Sequence, residues 1–273
     1  MAKLNVGRSS RSAYKHWVLD AHLGKIVGSI TTGQTPARAN PLLCVDLCAG
    51  DGGNGDGTAS PLIIHKHCEW LASNARCPLP AHSIFIEKNA TTHDILVGRL
   101  GPMATHPNHR REIRNEDARE FYLQPTTKDQ AIFINCDPNS ISDMPLAEEL
   151  AHSLTPTTTM TMTLGCNVGG LKRMELDKRQ PWLDYVKLMT KIMPAWHDAI
   201  LVEICGDASQ WAYLTRLPSK WSTQQKECLR KGGEKLKDSF PQGVRVASFR
   251  QDRLAFDECL NRLFLTQKER ARV

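Results

Sequence analysis

LLCVDLCAGDGG, residues 42–53, sets four apolar strand formers around one acid and then runs into glycine. Leu42, Leu43, Val45 and Leu47 have the composition of a buried strand. Asp46 lies inside that run, where an unpaired charge is costly. Gly50, Asp51, Gly52, Gly53, Gly55 and Gly57 follow, a stretch too rich in glycine for helix or strand. An acid at a strand end with a glycine turn behind it suggests a ligand approached closely by backbone.

Outward from this stretch, strand and helix signals alternate. Residues 13–30 read as a helix with Leu19, Leu23, Ile26 and Ile30 on one face. Residues 60–73 read as a helix with Ser60 as N-cap and Pro61 in the first turn. SIFIEKN (83–89) is a second strand ending on Glu87, residues 90–100 are helical, and 111–121 is a short strand turning into a helix near Asp117. DQAIFINCDPNS (129–140) is a third apolar strand ending on Asp137-Pro138. Beyond it come a helix at 145–154, a strand at 157–165, a helix at 181–193 begun by Pro181 and stopped by Pro194, and a strand at 199–206. Ser222 and Gln225 form a capping box for a helix over 223–231 that Gly232-Gly233 would break. VRVASFR and LNRLFLTQ read as two final strands. The alternation predicts βαβ units and a parallel sheet with helices on both faces. Such sheets bind ligands beyond the carboxyl ends of their strands.

The chain of 273 residues suits one large domain, with 41% hydrophobic and 23% charged residues. No apolar run reaches membrane-spanning length, and the N-terminus lacks the apolar centre of a secretory signal. Nine cysteines, an odd number with several on strands that read as buried, favour reduced thiols and a cytoplasmic setting. From Arg216 onward there are 14 Lys and Arg against 7 Asp and Glu, so the whole +6 excess resides there. A basic segment on a neutral body suits a polyanion such as nucleic acid, or is simply a solvated lysine-rich surface.

Three strand ends carry acids. Glu87 is placed to accept hydrogen bonds from both hydroxyls of a ribose, and Asp117 to accept from an adenine amino group. NAD fits the same logic, but its glycine fingerprint leads straight into a helix, whereas GDGGNGDG is longer and carries two aspartates that repel a pyrophosphate. No Walker lysine follows, which argues against a nucleoside triphosphate. A sulfonium-bearing nucleoside without phosphates, S-adenosylmethionine, welcomes those carboxylates. The candidate cofactor residues are Asp46, Cys48, Ala49, Gly50, Asp51, Gly52, Glu87, Lys88, Asp117 and Ala118.

INCDPNS is similar to the Asp/Asn-Pro-Pro-aromatic signature of amino-group methyltransferases, which hydrogen-bonds the target amine and stacks on a flipped base. Asp137 and Pro138 match, and Asn139 and Ser140 replace the second proline and the aromatic. Trp182 and Tyr185 are substitutes for the missing stacking residue, or helix-core residues. The order YKHWVLDAHLGKIVG, VDLCAGDGGNGDGTASPLII, IFIEKN, IFINCDPNS, over residues 13–140, resembles the three-Cys-motif partner family. That resemblance implies a Rossmann-like class I methyltransferase fold with a mostly parallel seven-stranded sheet and S-adenosylmethionine as cofactor. Where the family continues Asp-Pro with an aromatic and glycine, this chain has Asn139-Ser140.

Other candidates carry alternatives. His65, His67, Cys68 and Cys77 have metal-ligand chemistry, but His65 and His67 stand two apart on a helix and face different sides, so no metal is expected. Cys48 or Cys136 would serve as a nucleophile in ring-carbon methylation, against the simpler reading of buried thiols. GCNVGGLKR, with Lys172 and Arg173, would cradle phosphate or is a plain glycine loop. The expectation is one domain: a lead-in over 1–40, a cofactor-binding core over 41–206 and a basic part over 207–273 completing the sheet. The function expected is methyl transfer to an exocyclic amino group of a nucleic-acid base, DNA adenine favoured. Asp137, Pro138, Asn139 and Ser140 would sit at the reacting centre, and Lys172, Arg173, Lys231, Lys235 and Lys237 on the nucleic acid. The alternatives are a non-catalytic nucleic-acid-binding partner of another protein, and methylation of a protein or small molecule.

Overall fold

The computed structural model describes residues 10–32, 41–53, 59–74, 76, 78–121, 131–138, 146, 149–150, 160–166, 181–205 and 210–264. The described chain is an α/β fold of Rossmann type, with eight strands where seven were expected. It divides into two compact units, 1–136 with 218–228, and 137–217 with 229–273.

The first unit holds helix α1 (Ser10–Thr31), strand β1 (Leu42–Asp46), α2 (Ser60–Ala72), β2 (Ala81–Ile86), α3 (Ala90–Leu100), β3 (His109–Arg114) and β4 (Ala131–Cys136). Its strands lie in the order β3-β2-β1-β4, and all three pairings are parallel. Helices α2 and α3 make the crossovers that parallel neighbours require. Every residue of β1 is buried, the signature of a parallel strand covered on both faces. The chain steps from β1 outward to β2 and β3, then returns to β4 on the other side of β1. The gap between β1 and β4 is therefore the switch point, where open α/β sheets place their ligands.

Helix α1 buries Leu19, Leu23, Ile26 and Ile30 as its periodicity predicts, together with Tyr14, Val18 and Val27. Its polar residues hold neighbours. Asp20 accepts from His67 Nε2 of α2 at 2.8 Å, and Lys25 pairs with Glu227. Buried His22 holds the Trp221 carbonyl through Nε2 at 3.0 Å. Helix α2 begins one residue earlier than its sequence signal. Ala59 is the N-cap and Ser60 the first helical residue, because the Ile63 N–H already closes onto the Ala59 carbonyl at 3.0 Å.

Burial pushes the His22 pKa down to about 4 from 6.5. The unfolded chain thus takes up a proton on this imidazole that the native state refuses, so stability falls as pH drops from about 6.5 towards 4. That window is worth about 3 kcal/mol for one group. His22→Gln, whose amide can still donate to the Trp221 carbonyl, should lose about that much less stability than wild type between pH 7 and pH 4. Urea midpoints at both pH values measure it, and equal losses in the two proteins would refute it.

The second unit holds β5 (Met160–Cys166), α4 (Pro181–Ile192), β6 (Asp198–Ile204), β7 (Gln210–Arg216), β8 (Val244–Ser248) and α6 (Arg253–Phe264). Helix α5 (Ser219–Lys235) begins in the first unit and ends in this one. The strands here run β5-β7-β6-β8 with every pairing antiparallel. Strand β7 escaped the sequence reading, although Trp211, Tyr213 and Leu214 bury it. Tyr185 of α4 is fully buried core.

Two further expectations are corrected. The described part of LNRLFLTQ, residues 260–264, is helix and not strand: Phe256, Cys259 and Leu260 are buried at helical spacing, and Arg262 donates to Glu203 Oε2 at 2.9 Å, within the helix Arg253–Phe264. The Ser222–Gln225 capping box also fails. Helix α5 starts at Ser219 and runs through Gly232-Gly233 to Lys235. A Cβ on Gly233 would stand 2.8 Å from Val244 Cβ, so glycine there serves the approach of β8 rather than ending the helix. Among the described residues, no helix is long and apolar enough to cross a membrane.

Candidate functional site

Asp46 ends β1 with no exposed surface, and its partner is across the switch point. In the β1–β4 register it lies opposite Asn135, whose Nδ2 donates to Asp46 Oδ1 at 2.9 Å. This hydrogen bond offsets part of the cost of burying a carboxylate within an apolar strand. The chain then bends along the strand ends. Leu47 N–H donates to the Asn135 carbonyl and Ala49 N–H to the Ile86 carbonyl, each at 2.9 Å.

Glu87 directly follows β2 and holds the loop that follows β1. Its Oε2 accepts from Gly50 N–H at 3.0 Å and its Oε1 from Asn89 N–H at 2.8 Å. Each carboxylate oxygen keeps a further lone pair for another donor. Gly50, Gly52 and Gly53 have φ of 64°, 76° and 76°, in the left-handed region. Asp51 accepts from Gly53 N–H at 2.9 Å, and Arg99 of α3 meets both the Asp51 carbonyl at 2.6 Å and its Oδ2 at 3.2 Å. Around this loop stand three carboxylates, Asp46, Asp51 and Glu87, with the Arg99 guanidinium on Asp51.

Gly53 is the least replaceable of the loop glycines among the described residues. A Cβ there would stand 2.7 Å from the Ala59 Cβ, in addition to the left-handed backbone. Gly53→Ala should cost about 1–3 kcal/mol of stability, read as a lowered urea midpoint. An unchanged midpoint would show that the loop relaxes freely.

The other expected site residues are placed as follows. Cys48 and Cys136 lie near the ends of β1 and β4 with sulfurs 3.9 Å apart, Cys136 fully buried as a structural thiol would be. Ala49 and Ala118 are buried and Lys88 is exposed. Asp117 is engaged differently from its expected role. It caps the short 3-10 turn Ala118–Glu120 and holds Arg119 through Nε at 3.0 Å and Nη2 at 2.7 Å. Arg119 draws its pKa down to about 2. The side chain of Asn115, which the sequence reading missed, donates to the Glu87 carbonyl at 2.8 Å. Nothing in the residue type alone distinguishes it from a turn asparagine.

Asp137 and Pro138 follow β4 directly and are half-buried. Asn139, Ser140, Lys172, Arg173, Cys77, Gly55 and Gly57 lie outside the described residues, as does the Trp182 side chain. Lys235 and Lys237 are exposed, and Lys231 is half-buried. Part of the C-terminal positive excess is engaged within the fold: Arg230 pairs with Glu234, Arg253 with Asp257, and Arg262 and Arg245 with Glu203.

No protein-family model matches the chain, and no curated protein sequence matches it. Among solved structures, a Legionella pneumophila protein described by the family model DUF519 is similar with a TM-score of 0.47 and 11% identity, covering 85% of this chain and 96% of the other. A probable spermidine synthase from Corynebacterium glutamicum is similar with a TM-score of 0.45 and 11% identity, covering 82% and 76%. A geranyl diphosphate methyltransferase in complex with GPP and sinefungin gives 0.42 and 12%, covering 76% and 79%. Overlaps this loose leave the functional reading to the residues of the site.

Proposed function

We propose that this chain is an S-adenosylmethionine-dependent methyltransferase. The observation that carries the reading is the acidic glycine loop that follows β1, held in its left-handed turns by Glu87 and carrying Asp51. A pyrophosphate meets repulsion there, whereas a nucleoside with a cationic sulfonium gains from it. When bound, S-adenosylmethionine supplies an electrophilic methyl carbon. Asp46 and the Gly50–Gly52 backbone would hold the amino-acid portion, and Glu87 the ribose hydroxyls. Asp117, engaged with Arg119, would meet the adenine through its remaining acceptor capacity.

The substrate proposed is an exocyclic amino group of a nucleic-acid base, with DNA adenine favoured, in the reducing cytoplasm. Asp137-Pro138 at the end of β4 supports an amine target, since both supply acceptors for its N–H groups. Exposed Lys235 and Lys237 support a polyanion partner. Kinship with the three-Cys-motif partner family belongs to the same proposal and rests on the order of motifs over residues 13–140.

Calorimetry and thermal melting with S-adenosylmethionine, its demethylated product, NAD and ATP test the cofactor. The first two should raise Tm by linkage of binding to folding, and the last two should not. Transfer of a labelled methyl group to unmodified DNA, RNA and protein tests the substrate. Binding of NAD or ATP in place of the sulfonium would overturn the reading. Cofactor binding without transfer to any nucleic acid would limit the chain to a binding role or a different acceptor.

A further inference from the structure

At the opposite, amino end of the same parallel strands lies a second cluster of chemistry-bearing side chains. His65 and Glu69 stand four apart on α2, on one face, and His109 opens β3. One ligand atom from each of the three lies within 4.8 Å of the other two. His65 is 2% exposed and His109 4%. The imidazole rings are 5.3 Å apart between centroids.

Each group is oriented by a second partner. His109 Nε2 meets Ser83 Oγ of β2 at 2.9 Å, while its Nδ1 faces Glu69 Oε1 at 2.5 Å. Both Glu69 oxygens accept from the His106 N–H at 3.0 Å. His65 lies one helical turn before Glu69 on α2. Its Nδ1, however, is buried with no hydrogen-bond partner among the described residues. A close His109–Glu69 pair explains two members of the cluster and leaves His65 unexplained, because an unmatched buried acceptor costs about 1–3 kcal/mol. The hydrogen bond of His109 Nε2 to Ser83, opposite the nitrogen that faces Glu69, is the outer-shell pattern of a metal-binding histidine.

We propose that His65, Glu69 and His109 bind one divalent transition-metal ion, with zinc the best match to two imidazoles and a carboxylate. Hard oxygen-seeking ions such as magnesium and calcium suit this donor set poorly. Tetrahedral zinc would set its ligand atoms about 3.3 Å from one another, opening the 2.5 Å His109–Glu69 contact and drawing in the atoms that stand up to 4.8 Å apart. Loading replaces the proton between His109 and Glu69, so binding to the protonated pair releases that proton to solvent. The ion would tie α2 to β3 and serve stability rather than methyl transfer, so the inference does not depend on the proposed reaction.

The test uses the full, untagged chain stripped with a chelator and titrated with Co²⁺, then with competing Zn²⁺. One equivalent of Co²⁺ should give a visible tetrahedral d–d band that Zn²⁺ abolishes, and Zn²⁺ should raise Tm. His65→Gln leaves the His109–Glu69 pair intact and should weaken Co²⁺ at least tenfold while the stripped protein still melts cooperatively. Absence of both the band and the Zn²⁺-induced Tm rise in wild type overturns the proposal, whatever the variant does. Equal Co²⁺ affinity in wild type and a folded His65→Gln also overturns it.

Discussion

Asp137→Ala is expected to leave the fold and cofactor affinity intact while reducing methyl transfer by about 10²-fold or more. Asp137 follows β4 directly, beyond Asn135, which is already committed to Asp46. Its proposed work is to accept a hydrogen bond from the amine and aim the nitrogen lone pair at the methyl carbon. A misplacement of about 1 Å in such an approach can cost about 10²-fold. Asp137→Asn should retain more activity, because its amide oxygen still accepts that bond. Single-turnover transfer on both variants, with cofactor affinity measured alongside, separates positioning from binding. Full activity in Asp137→Ala would remove the residue from the mechanism.

Glu87→Ala should weaken S-adenosylmethionine by about 10–100-fold, the equivalent of losing about 1.5–3 kcal/mol of charged hydrogen bonding. The same carboxylate receives Gly50 N–H and Asn89 N–H, so its loss also frees the loop that would meet the cofactor. Glu87→Gln is the sharper variant. Both oxygens already face backbone donors, and the amide must turn its NH₂ towards one of them. It should therefore lose most of the affinity despite near-identical shape. Calorimetric affinities for wild type, Glu87→Ala and Glu87→Gln decide the matter. An unchanged Glu87→Gln would mean that this carboxylate does not hold the cofactor.

Much of the first unit is determined by the sequence itself. β1, β2 and β4 each carry an apolar run, at 42–45, 84–86 and 131–134, because parallel strands are covered on both faces, and such runs are visible without the fold. Helix α1 shows its buried stripe at Leu19, Leu23, Ile26 and Ile30, and the acids closing β1 and β2 stand directly before or within turn signals. The second unit was less legible. Its C-terminal helix shows an apolar period only when Phe256 and Cys259 are read with Leu260, and a shorter window resembles a strand. Gly232-Gly233 has the local chemistry of a helix breaker, yet Val244 requires a residue without a side chain at Gly233 while the helix continues.

What tertiary structure alone decided is pairing. Asp46 is tolerable in β1 because Asn135, 89 residues away, lies opposite it in register. Glu87 was legible as a strand-end acid, but only the fold shows that it clamps Gly50. His65, Glu69 and His109 share no local motif, since two come from a helix and one from a strand 40 residues beyond Glu69. Spacing along a chain reports which residues share a face of one element. Which faces meet depends on the strand order and on the burial gained by closing the sheet, and neither is a property of a local window.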